Sequence, residues 1–213
     1  MVITRETLLK QAYVLALITI LYNTAEGLIS VYLGAEDKTL SLLGFGIDSF
    51  VEVISGIGIW HMLVKIKIHG YEEQDVFEKT ALKITGSSFY ILVIGLSFTA
   101  LYNIITNHQP ETTYWGIVIS LISIVTMALL IFYKNKVGQS LNSKALITDA
   151  NCTKTCLYLS IILLAASVGY QLTGIGYLDS AGAMAISYFS FMEGKEAFEK
   201  ARTGKNCTCE NGN

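Results

Sequence analysis

The sequence contains little charge and almost no proline. Asp, Glu, Lys and Arg make up 15% of its 213 residues, and 52% are hydrophobic, whereas a typical soluble domain is about 25% charged. This composition excludes an ordinary soluble domain. One proline and 18 glycines suit closely packed membrane helices, because small residues allow helices to approach each other. The sequence therefore predicts an all-α, polytopic membrane protein.

Cysteine and histidine are also scarce. The four cysteines form two local pairs, and a disulfide scaffold is not expected in a chain whose apolar segments lie in lipid. The three histidines show no spacing typical of metal ligands. Metal binding or redox chemistry therefore remain as roles for the cysteines. We expect no bound cofactor and no nucleic-acid partner.

Apolar stretches of about 20 residues are long enough to cross a bilayer. The sequence predicts a bundle of six transmembrane helices, at Leu8–Leu33, Thr39–Ile68, Thr80–Thr106, Thr113–Tyr133, Asn142–Tyr170 and Tyr177–Ala197. Residues 1–197 are thus expected to form one membrane domain. Residues 198–213 are expected to form a short, flexible cytoplasmic tail, because they are too few and too polar to bury a core.

The distribution of Lys and Arg predicts the orientation, since cytoplasmic loops are enriched in both. Placing both termini in the cytoplasm leaves only Lys38 outside and Lys154 within a span. All other basic residues then lie on the inner side, including Lys134 and Lys136 after the fourth span. We expect an integral protein of the cell (inner) membrane.

Ionisable residues inside membrane spans indicate functional sites, because burying them in lipid is costly. The residues singled out here are Glu26, Asp48, Glu52, Asp149, Lys154 and Asp179. For Glu26, Lys154 and Asp179 a structural ion pair or an interfacial position is an equally good explanation.

Two pairs of potential ligands have helical spacing. Asp48 and Glu52 are four residues apart in the second span, and Cys152 and Cys156 are four apart in the fifth, so each pair shares one helix face. At 1.5 Å per residue, Asp48 lies roughly 13 Å from one membrane face and Cys152 roughly 15 Å from the other. The two pairs can therefore meet near the midplane and hold a divalent cation. The alternative is that the two cysteines are small buried hydrophobic residues.

Asp149 precedes Cys152 by three residues and shares its helix face. We expect Asp149 either to bind an incoming ion first or to contact the metal ligands without binding the metal itself. Two thiolates disfavour Mg²⁺ and Ca²⁺, and two carboxylates disfavour a dedicated Cu⁺ site. The expected substrate is therefore Zn²⁺, Cd²⁺ or Hg²⁺. Without metal, these buried groups should bind protons, which an arriving cation would displace.

These segments resemble the transmembrane domain of the cation diffusion facilitator family. The matching residues of the fifth span are Ser143, Ala145, Leu146, Asp149, Ala150, Cys152, Cys156 and Ser160, and those of the second span are Asp48 and Glu52. The resemblance implies a six-helix bundle, usually homodimeric, that exports divalent cations in exchange for protons by alternating access.

The sequence also departs from the family pattern. The usual His and Asp of the fifth span are both Cys here, which shifts the expected substrate toward thiophilic ions. The family's usual C-terminal cytoplasmic domain has no counterpart after Ala197, so whether the protein forms a homodimer is left open. In the tail, Cys207 and Cys209 could capture a soft ion near the inner mouth, or could be an incidental thiol pair.

Two other functions remain open at this stage. A membrane thiol oxidoreductase could use Cys152 with Cys156 and a Cys207–Cys209 shuttle, although this leaves Asp48 and Glu52 unexplained. A metal sensor without transport is the third hypothesis. The direction of transport and the coupling ion also remain open. The leading hypothesis is not an enzyme but a secondary transporter, which exports a soft divalent cation by proton antiport.

Overall fold

A computed structural model describes residues 5–69, 74–106, 113–141 and 144–203 of the chain. These residues form six α-helices: α1 (Arg5–Glu36), α2 (Leu40–His69), α3 (Gln74–Thr106), α4 (Tyr114–Leu141), α5 (Lys144–Thr173) and α6 (Tyr177–Thr203). The predicted all-α bundle of six helices is thereby confirmed.

The bundle is apolar outside and polar inside, as expected for helices surrounded by lipid. By length and composition, five of the described helices (α1 to α5) are apolar enough to cross a membrane. Large hydrophobic side chains such as Ile91, Ile94 and Phe98 are exposed, whereas polar residues such as Asn23 and Ser160 are fully buried. The helix α6 is more polar and turns a face of small residues inward, including Ser187 and Ser190.

The helices pack mainly as the pairs α1 with α2, α3 with α6, and α4 with α5. Glycine permits the closest approach between α1 and α2. A Cβ atom on Gly46 would lie 2.7 Å from the backbone nitrogen of Val31, and one on Gly34 would lie 2.6 Å from that of Leu43. Any larger residue at these positions would push the two helices apart.

Apolar clusters lie on both sides of the buried polar residues. One cluster includes Leu42, Phe45 and Leu163, and a second includes Ala12, Val137 and Leu146. A third, small cluster contains Met127, Leu130 and Cys156. Cys156 thus joins the apolar core to the polar interior of the bundle.

Asp179 connects the first turn of α6 to the start of α2. Its two carboxylate oxygens accept hydrogen bonds from the backbone nitrogens of Leu40 at 2.8 Å and of Ser41 at 3.1 Å. The hydroxyl of Ser41 also donates to Asp179. A helix N-terminus has backbone N–H groups without helical partners and a partial positive charge. Asp179 therefore has a structural role as a cap supplied by another helix.

The structure differs from the sequence analysis at the end of α4. We expected the fourth span to end at Tyr133 and Lys134 to lie on the inner side, but α4 continues to Leu141. The side chain of Lys134 is 1% exposed and lies between helices. The sequence did not indicate this burial, because a lysine at the end of an apolar stretch usually marks the interface, and only the tertiary structure reveals its buried partner. The placement of Lys134 on the inner side of the membrane stays a prediction.

We predict that Asp179→Ala will lower the free energy of unfolding by about 1–2 kcal/mol, because the start of α2 loses its cap. Thermal unfolding in detergent measures the effect. Glu199→Gln is the matched control, since Glu199 lies on the same helix and is exposed. Equal melting temperatures for the two variants would contradict the capping role.

Candidate metal site

Asp48 and Glu52 lie on adjacent turns of α2 and both are buried, with 1% and 7% of their surface exposed. Their neighbours come from two other helices. Asp48 contacts Cys156 of α5, and Glu52 contacts Asn23 of α1. The predicted meeting of the second and fifth spans thus occurs through Asp48 and Cys156.

The contact between Cys156 and Asp48 joins a thiol to a carboxylate. Cys156 Sγ donates to Asp48 Oδ2 at 3.3 Å. Ser160 Oγ lies 2.8 Å from the carbonyl oxygen of Cys156 and 2.9 Å from Ser123 Oγ of α4. These contacts fix this turn of α5 against α4 while its thiol faces α2.

Glu52 is held by one oxygen only. Asn23 Nδ2 donates to Glu52 Oε2 at 2.7 Å. The other oxygen of Glu52, Oε1, and Asp48 Oδ1 are buried and have no hydrogen-bond partner among the residues that the structure describes. A buried acceptor without a partner is costly, and a cation would satisfy both oxygens. By chemical type, two carboxylates and a thiol suit a divalent cation of intermediate or soft character.

The described side chains do not form a complete coordination sphere. Among them, no group of three or more His, Cys, Asp and Glu residues is close enough to hold a metal ion. Cys152 lies on α5, but its side chain is outside the described residues, as are Cys207 and Cys209. The assignment of Asp48, Glu52, Cys152 and Cys156 as ligands, and of Cys207 and Cys209 as a capture site, stays a prediction.

Asp149 has a partner that the sequence analysis did not identify. Its Oδ2 atom lies 2.8 Å from Lys134 Nζ, and this ion pair between α4 and α5 is almost entirely buried. Lys134 Nζ also donates to Thr153 Oγ1 at 2.9 Å. An incoming metal ion that binds to Asp149, as predicted, would therefore have to compete with the ammonium group of Lys134.

Two further carboxylates lie near the site: that of Glu26, which is buried, and that of Glu193, which is half-buried. Glu26 accepts hydrogen bonds from Tyr22 at 2.8 Å and from Ser49 at 3.1 Å, so it is held by hydroxyl groups. Glu193 of α6 accepts one from Thr155 at 2.9 Å and interacts electrostatically with Asp48. Lys154 is also half-buried, on α5.

Sequence reasoning missed three residues around the site: Asn23, Lys134 and Glu193. Glu193 lies inside the predicted sixth span, so a complete count of the acids in each span finds it. Asn23 is a polar residue in an apolar segment and gives a weaker signal of the same kind. Lys134 gives no such signal, because its position at the end of a span is ordinary.

Comparison with known proteins identifies the family of the chain. Residues 12–203 match the family of the cation efflux transmembrane domain. The chain belongs to the cation efflux family. The expected relationship to the cation diffusion facilitators is thereby confirmed, and the match includes every helix that carries the candidate site.

A curated relative of this cation efflux protein is an uncharacterized transporter of Methanocaldococcus jannaschii. The two are 28% identical over 190 residues, which cover 86% of this chain and 65% of the relative. The chain thus spans less than two thirds of the length of that relative. Family membership and the apolar helices together identify an integral membrane protein.

We predict that Asn23→Ala will weaken Cd²⁺ binding to the purified protein by about 10–100-fold, the usual effect of removing a group that orients a ligand. Without Asn23, the Glu52 carboxylate is free to turn away from α5. The control is Thr24→Ala, because the Thr24 hydroxyl bonds to the carbonyl of Ile20 in its own helix. Unchanged affinity in Asn23→Ala would show that Asn23 does not orient a metal ligand.

Proposed function

We propose that the protein transports a thiophilic divalent metal cation, Zn²⁺, Cd²⁺ or Hg²⁺, through a site formed by Asp48, Glu52, Cys152 and Cys156. Membership of the cation efflux family supports transport of a metal cation. The observation that carries the proposal is the contact of 3.3 Å between Cys156 Sγ and Asp48 Oδ2. It brings predicted ligands of two different helices together in the interior of the bundle.

The ligand types favour soft ions. Thiolates bind Zn²⁺ and Cd²⁺ much better than Mg²⁺ or Ca²⁺, which prefer oxygen. Zinc accepts four mixed oxygen and sulfur ligands in tetrahedral geometry. In this proposal Glu52 Oε1 and Asp48 Oδ1 bind the ion, while Asn23 keeps the second oxygen of Glu52 in place.

Exchange of metal for protons follows from the chemistry of the same groups. The Cys156 thiol donates a hydrogen bond to Asp48 and so carries a proton, whereas a metal-bound cysteine is a thiolate. Metal binding therefore releases this proton, and loss of the metal allows it to return. Proton antiport with alternating access uses this exchange, with the site open to one membrane face at a time.

We further propose that the protein acts in the cell membrane with both termini in the cytoplasm, and that it exports the cation. The distribution of Lys and Arg supports this orientation. The same proposal includes a homodimer, as is usual in the family. It also includes capture of the ion by Cys207 and Cys209.

Transport is favoured over the two alternatives. A thiol oxidoreductase would give no role to the buried Asp48 and Glu52, whereas a metal transporter uses both. A sensor without transport would bind metal at the same ligands, so flux measurements have to separate it from a transporter.

We predict that Cys152→Ser with Cys156→Ser will lower Cd²⁺ flux in proteoliposomes at least ten-fold, and Cd²⁺ flux more than Zn²⁺ flux. The reason is that cadmium gains more from sulfur ligands than zinc does. Ultraviolet absorption of the cadmium–thiolate bond in purified protein provides a second measurement and should disappear with the two thiols.

The matched control makes the same substitution in the other cysteine pair, Cys207→Ser with Cys209→Ser. This variant should keep the transport rate at saturating Cd²⁺ and lose activity only at low Cd²⁺ concentration, if the tail captures ions. Unchanged Zn²⁺, Cd²⁺ and Hg²⁺ flux in the Cys152–Cys156 variant would reject the assigned site. Metal binding without any flux in the wild type would select the sensor.

Proton coupling gives a separate prediction. Cd²⁺ affinity should fall as the pH is lowered, because protons compete with the cation for the carboxylates and thiols. In proteoliposomes, a trapped pH indicator should report proton movement opposite to Cd²⁺. Asp48→Asn should reduce both movements, and Cd²⁺ flux with no proton movement would rule out antiport.

A further inference from the structure

The buried ion pair between Lys134 and Asp149 lies beside the candidate site, but none of the predicted ligand roles uses Lys134. The side chains of Lys134 and Asp149 are 1% and 6% exposed, and the distance from Nζ to Oδ2 is 2.8 Å. Thr153 completes a small network, since its hydroxyl accepts from Lys134 and donates to the carbonyl of Asp149. The pair fixes α4 to α5.

The pair is positioned at the part of the bundle where α4 and α5 are connected. Asp149 lies in the second turn of α5, which begins at Lys144, and Cys156 follows Asp149 by seven residues, or about 10 Å along the helix. The charge of Lys134 also acts on Glu52 of α2. Lys134 therefore interacts with the predicted receiving carboxylate and with a predicted ligand.

An ammonium group in this position resists the approach of a second cation. Two positive charges at close range repel strongly when water is excluded, and they would compete for the same carboxylate oxygens. A buried lysine also does not leave its partner readily, because separating the two buried charges without a replacement leaves each of them uncompensated. A metal ion that binds at Asp149 has to replace this interaction.

We propose that Lys134 is an internal competitor of the transported cation, which occupies Asp149 when the site is empty and is displaced from it when the metal arrives. This inference rests on the proposed function. The ammonium group weakens metal binding, and its return to Asp149 helps to expel the ion. Lys134 is thus a residue that sets affinity and release without binding the metal.

The two possible roles of Lys134 predict opposite changes in affinity. A competitor opposes binding, so Lys134→Met should tighten Cd²⁺ binding to the purified full-length protein at least ten-fold. The same variant should slow steady-state flux in proteoliposomes, because release becomes slow. A purely structural pair would instead give weaker or unchanged binding, since its loss loosens the contact between α4 and α5.

Three further variants define the effect. Lys136→Met is the matched control, because Lys136 lies on the same helix but is exposed, and its Cd²⁺ affinity should equal that of the wild type. Asp149→Asn should weaken binding at least ten-fold, because Lys134 then turns to the remaining carboxylates. Combining Lys134→Met with Asp149→Asn should bring the affinity back to within about three-fold of the wild type.

Lys134→Gln is a second variant in case Lys134→Met does not fold, since glutamine can donate hydrogen bonds to Asp149 and Thr153 but carries no charge. It too should bind Cd²⁺ more tightly than the wild type. If folded Lys134→Gln and Lys134→Met bind no more tightly than the wild type, Lys134 is not a competitor, while the proposed transport site stands. If the wild type binds no Cd²⁺ at all, the proposed function fails and this inference fails with it.

Discussion

The architecture depends on finding a partner for each ionisable side chain that is buried between the helices. Lipid offers no hydrogen bonds, so a charged or polar group inside the bundle has to be satisfied by another helix. Asp179 caps α2, Lys134 pairs with Asp149, Asn23 holds Glu52, and Cys156 donates to Asp48. Each of these contacts joins two helices, so the polar interior also determines which helices pack together.

The same constraint distinguishes the structural carboxylates from the candidate ligands. The oxygens of Asp179 and Glu26 accept hydrogen bonds from protein groups, and such groups are stabilised without any ligand. Asp48 and Glu52 each keep one buried oxygen with no partner among the described residues. A site that binds and releases a cation needs this incomplete satisfaction, because a fully partnered carboxylate has little to gain from an ion.

Charge balance inside the bundle connects the site with its surroundings. Asp48, Glu52, Glu26 and Glu193 place several acidic groups within one region, and Lys134 supplies a positive charge near them. In the proposed function a divalent cation adds two charges to this region, and the proposed release of protons and displacement of Lys134 would offset them. The two proposals thus answer the same electrostatic requirement.

The sequence by itself determined the number of helices, most of their bounds and the main candidate ligands. Long apolar stretches have only one stable form in lipid, the helix, and the spacing of Asp48 and Glu52 fixes their common face. The sequence did not reveal that α4 continues past Tyr133, that Lys134 is buried between helices, or that Asp149 forms an ion pair with it. Those features depend on which side chain of a neighbouring helix lies opposite, and only the packing of α4 against α5 and of α1 against α2 decides that.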